Sequence, residues 1–189
     1  QNQRATSSAY NAVKDSLQRA QSTVDVATTA GQSVSELLVQ MKEKALAASD
    51  TSLSASGRSA MNADFTALRD QITKVVTNAN FNSINMIKSS GTTVAAIATD
   101  TGGKITVAAQ DLSLGGTNIA GISAATAITT STLAGTASTA LDTAIEKVSL
   151  ALSKLGTGSR SLGIHLDFVG KLQDAIDTGV GNMVDANYE

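Results

Sequence analysis

Cysteine, proline and tryptophan are all missing from this 189-residue chain, and histidine occurs once. Without cysteine there is no disulfide framework and no thiolate nucleophile. A single histidine cannot build a multi-histidine metal site. Aromatic residues make up 3 % of the chain, so its apolar content is chiefly Ala, Val, Leu and Ile. Side chains of that size bury little area each, and a core made from them needs long contacts. Fourteen basic against sixteen acidic residues give a formal charge of -2. That leaves no basic field for nucleic acid or an anionic membrane surface. No uninterrupted apolar run approaches the ~18 residues of a membrane span. The chain opens on Gln1 with no leader pattern, and reads as part of a longer product.

What is present is helical periodicity. From Tyr10 an apolar or small residue returns every third or fourth place: Val13, Leu17, Ala20, Val24, Ala27, Gly31, Val34, Leu38, Met41, Ala45 and Ala48. Steps alternating between 3 and 4 predict the heptad seam of one long helix. The run `SDTSLSASGRSA`, Ser49 to Ala60, collects small polar residues and reads as a loop. A second seam follows at Met61, Phe65, Leu68, Ile72, Val75 and Ala79. It stops at `TNANFNSINMIKS`, Thr77 to Ser89, where Phe81 is placed to pin a turn by burial. Asn80 and Asn82 suit local backbone bonds and turn dihedrals. From residue 90 to 134 the text changes to β-branched runs punctuated by `DTGG` and `LGGTN`, and `TDTGGK` can turn a hairpin.

The helical period then returns. Leu141, Ile145, Val148, Leu152, Leu155, Leu162, Leu166, Val169, Ile176, Val180 and Met183 fall on a single 3-4 grid, with polar Ser159 and Gln173 on it. The register survives `GTGS`, Gly156 to Ser159, which predicts one helix running through both glycines rather than a hairpin turning there. The expectation is a mainly α fold: an elongated antiparallel helical bundle, a rod, with a small β-containing insertion. Residues 1–89 and 135–189 would form the rod, and 90–134 a variable insertion with short hairpin elements too small for a core of its own. Both chain ends would leave from the same end.

No constellation of residues points to catalysis. Ser161, His165 and Asp167 share a helix on which i and i+2 do not face each other, so they form no nucleophile triad. Asp174 and Asp177 have nothing beside them to raise one carboxyl for acid catalysis. `GTGSRSLG` lacks the phosphate-loop pattern and follows no strand. No metal or cofactor is expected. On the outer side of the first helix, Gln40, Lys42 and Glu43 are charge and polarity available to a neighbouring molecule, where scattered pairs set register more than affinity.

Several of these stretches resemble the bacterial flagellins. `NFNSINMI`, Asn80 to Ile87, is similar to the family's `TxFNGxxLL` signature, with Ser83 where the family has Gly. `RSAMNADFTALRDQITKVV`, Arg58 to Val76, resembles `RxxIQxExxxLxxEIxxI`. `ALDTAIEKVSLALSKLGTGSRSLG` resembles `xLxxIDxAIxxVxxxRAxLGAxQNRL`, and `NMVDANYE` the closing `SxIxDADxAxE`. The likeness covers about 130 residues on both sides of the middle segment. It implies a filament subunit seen as a core without its terminal helices, exported from the cell into the flagellum for swimming. It also implies partners: copies of itself or related flagellins, an export chaperone and a cap protein. The family's receptor-facing surface lies around `QMKEKA`; Gln40 stands where the family has Arg, and Arg58 is kept. The other readings are a hook–filament junction protein, which shares parts of these signatures, and a helical adaptor that binds partner helices through a coiled coil.

Overall fold

The computed structural model describes residues 2–188, and side-chain surroundings for 4–179 and 181. Three helices carry the architecture: α1 (Asn2–Ala48), α2 (Ala55–Thr77) and α3 (Ser131–Tyr188). Between α2 and α3 lies one hairpin, β1 (Val94–Ile97) and β2 (Lys104–Val107). At about 1.5 Å per residue, the 58 residues of α3 make a rod of roughly 85 Å. The helix is continuous through Gly156 and Gly158, because its apolar face stays in phase across them and packing outweighs local propensity.

α1 and α3 lie antiparallel along their length. Gln173 Nε2 donates to Ser7 O at 2.8 Å and to Asn11 Oδ1 at 2.7 Å, and Ser159 Oγ donates to Asp25 Oδ1 at 2.7 Å. Further along the pair, Lys42 is ion-paired with Asp142. These cross-links step in opposite directions on the two helices. The buried face of α1 is Val13, Leu17, Ala20, Val24, Ala27, Val34, Leu38, Met41, Ala45 and Ala48, each no more than 5 % exposed. On α3 the centre of the buried face is Ala137, Leu141, Ala144, Val148, Ala151, Leu155, Leu162 and Val169.

The sequence grid and the structure differ on α3 in one respect. Ile145, Leu152 and Leu166 are only partly buried and flank the seam, while Ala144 and Ala151 occupy its middle. Two long helices approach closely where side chains are small, so bulk is displaced to the edges. Gly31 belongs to the same contact: a Cβ there would meet Leu152 Cδ2 at 2.5 Å. Gln173, the polar member of the grid, is 5 % exposed and its amide is satisfied across the seam. Ile176 is half-buried, and Val180 and Met183 lie outside the described side chains.

α2 packs on α1 as well. Its start is capped by Ser54, whose Oγ accepts from Gly57 N at 3.0 Å. Phe65 and Ile72 are fully buried and Leu68 partly so. The wedge beside α2 is filled by the 90–134 segment. Its Leu112, Ile119, Ile122 and Ile128 are fully buried and belong to the same continuous core as the helices. Arg69 Nη1 donates to Thr126 O at 2.8 Å, and Ile128 N to Asn62 Oδ1 at 2.8 Å, fastening that segment to α2. The segment shares the rod's core because a two-strand ribbon of four-residue strands has no independent stability.

Candidate interaction surfaces

The first site built by the sequence is the turn that follows α2. Phe81 and Ile84 exchange backbone bonds, Phe81 N to Ile84 O at 3.0 Å and Ile84 N to Phe81 O at 2.9 Å. The two residues between them, Asn82 and Ser83, have φ of 50° and 66°. Two positive φ values in a two-residue loop are the requirement of a type I′ turn. Asn82 tolerates that geometry; Ser83 bears its cost without the benefit of glycine. Asn80 Nδ2 donates to Thr77 O at 3.1 Å. Phe81 is half-buried, so it is not the main anchor.

The anchor is Asn85, which the sequence reading passed over. It is 3 % exposed; its Nδ2 donates to Val76 O at 2.7 Å, and its Oδ1 accepts from Ile87 N at 2.9 Å and Lys88 N at 3.0 Å. One side chain thus closes the end of α2 and fixes the next strand-like stretch. Met86 and Ile87 beside it are buried, and their carbonyls accept from Gln110 N and Leu112 N.

The hairpin lies across the two long helices. Val94 pairs with Val107 and Ile97 with Lys104, and Gly102, at φ 93°, makes the reversal. Ile97 N donates to Ser16 Oγ of α1 at 2.9 Å. Tyr10 of α1 hydrogen-bonds Asp100; burial and that carboxylate together raise the phenol's pKa. His165 Nε2 lies 2.6 Å from Ala98 O, as a donor to the carbonyl, and its ring stacks tilted on Phe168 at 5.7 Å. The only histidine is therefore a tether for the ribbon. Gly158 makes the seat for β2: a Cβ there would come within 2.5 Å of Val107 Cγ1.

The polar surface residues divide into two groups. Arg58 Nε donates to Ala48 O at 2.9 Å and its Nη2 to Asp50 O at 2.8 Å, so the guanidinium caps the last carbonyl of α1 and one in the loop that follows it. Lys42 is held by Asp142, and Lys44 by Asp64 at 3.2 Å. Gln40 and Glu43 are exposed. Asp50, also exposed, has its carboxyl held below the ordinary range by donation from the Ser52 hydroxyl and amide. Among the described residues no cluster of His, Cys, Asp or Glu could hold a metal ion, and no helix is long and apolar enough to cross a membrane.

Large apolar side chains nevertheless face solvent. Val39 (43 %) and Leu46 (59 %) lie on α1, and Leu150 (63 %), Ile164 (65 %) and Phe168 (55 %) on α3. The periodic grid left them out because they sit off the seam, toward the outer flanks of the helices.

Comparison with known proteins agrees with this geometry. Residues 1–92 match the bacterial flagellin N-terminal helical region. Flagellin FljO of Caulobacter vibrioides is 51 % identical over 98 % of this chain and 67 % of its own length. The chain belongs to the bacterial flagellins. Flagellin FljK of the same organism is also 51 % identical over the same shares. Bacillus cereus flagellin, known from a crystal structure, shares the fold with a TM-score of 0.73 at 23 % identity, covering 82 % of this flagellin and 88 % of that chain.

Proposed function

We propose that the chain is a structural subunit of the flagellar filament, outside the cell, and drives swimming as part of that helical propeller. The observation that carries this is the flagellin kinship over nearly the whole chain, joined to a slender helical body with exposed apolar residues on its flanks. The working contact is self-association: identical rods pack beside and above one another without closing, which yields a fibre. No bound group takes part.

The rod is assigned to residues 1–89 and 135–189, with 90–134 as its insertion. Of the residues singled out for contact between subunits, Gln40 and Glu43 are free to meet a neighbour, whereas Lys42 and Arg58 are engaged within the subunit. An export chaperone and a cap protein are the further partners that the family likeness brings. The full-length protein, produced in a host deleted for its own flagellins, is expected to restore filaments by electron microscopy and spreading in soft agar. A secreted, folded protein that leaves cells bald and non-motile would sink this reading.

A further inference from the structure

Two outward faces of the rod carry the same pattern with opposite charge. On α1, Glu36, Val39 and Glu43 stand at i, i+3 and i+7; on α3, Lys147, Leu150 and Lys154 do the same. All six are exposed. Among the described residues none of the four charges is in an ion pair, although Lys42, Lys44 and Asp142 close by are. The faces also point to opposite sides of the α1–α3 pair. Lys42 and Asp142 each follow a buried residue, Met41 and Leu141, and meet on one side. Val39 likewise follows buried Leu38, but Leu150 precedes buried Ala151. In an antiparallel pair that difference in sense places them on opposite flanks, so neither can reach the other within one molecule.

We propose that these faces are the two halves of a lateral contact between copies of this chain. When two copies stand side by side pointing the same way, α1 of one runs antiparallel to α3 of the next. Glu36 then comes opposite Lys154 and Glu43 opposite Lys147, with Val39 and Leu150 enclosed between the charges. Equal spacing satisfies both pairs at one register. Ion pairs at a rim contribute little attraction but penalise a slipped register with like charges or empty partners. Complementary patches on opposite flanks cannot close a dimer, so they propagate.

This rests on the filament reading above, and the test separates the two. Full-length protein is assembled on filament seeds as wild type, E36K/E43K, K147E/K154E and the fourfold variant, with folding checked by circular dichroism. Each double reversal is expected to leave about tenfold less polymer at a given protein concentration, and the fourfold variant to recover it. Double variants that assemble like wild type, or a fourfold variant no better than either double, would overturn the contact while leaving the filament reading intact. Failure of wild type to extend the seeds would overturn both. Because the chain has no cysteine of its own, E43C combined with K147C gives an independent readout. Mild oxidation of assembled filaments should produce a ladder of linked subunits on a non-reducing gel, and monomer alone would count against the pairing.

Discussion

Two glycines two places apart on α3 have opposite roles. Gly156 has no heavy atom within 4 Å of where a Cβ would stand, whereas Gly158 has Val107 there at 2.5 Å. Both carry the same penalty of about 1 kcal/mol against alanine inside a helix. Gly156→Ala is therefore expected to raise the unfolding free energy by up to about 1 kcal/mol. Gly158→Ala should lower it despite the same gain in propensity, because a short β-branched side chain on a paired strand has little room to yield. Urea unfolding of the two variants checks the contrast. The sequence shows that both glycines oppose the helix; it does not show which one is required, since Val107 lies 51 positions away in the chain. Asn85 is illegible for a similar reason. It is one Asn among several in its stretch, and only the folded chain brings Val76 O to it.

At the scale of elements, α1 was readable almost outright. Its 3-4 spacing runs from Val13 to Ala48 without a slip, and those positions are buried, with Thr23 buried beside them. α3 was readable in its length and phase, but bulk misled the eye about the centre of its face, where Ala144 and Ala151 sit. The turn chemistry of `TDTGG` marked the hairpin, but nothing local says that the ribbon would lie on Ser16 and His165 of two distant helices. Leu38 and Leu150 make the distinction between faces measurable. Leu38→Ala, at a fully buried seam position, should cost about 2–5 kcal/mol. Leu150→Ala, 63 % exposed, should stay within about 0.5 kcal/mol. Thermal unfolding of the dispersed protein gives both values, and a similar loss at the two positions would show that the outer face is packed.

At the scale of the whole molecule, pH acts through side chains that join distant elements. Tyr10 is one: its pKa is raised in the folded protein by burial and by Asp100. A group whose folded pKa lies above its unfolded value contributes stability that is complete below its ordinary value, about 10, and is lost as pH rises through the folded value. Tyr10→Phe should therefore flatten the decline of melting temperature as pH rises above about 10, and lower the melting temperature modestly at neutral pH by removing the bond to Asp100. Circular dichroism melts across that range test it, and parallel curves for the two proteins would contradict it. The antiparallel pairing of the first and last helices has a further consequence for how the subunit comes into being. Ser7 meets Asp177 across 170 positions of chain, and α1's apolar edge lies chiefly against α3, with α2 and β1 also packed on it. The stretch of α1 around Ser7 and Asn11 therefore has to wait for the far turns of α3, which carry its partners Gln173 and Asp177. Such distant closure is slow relative to local pairing, so that stretch of α1 stays supple until α3 has formed along its whole length and stiffens last.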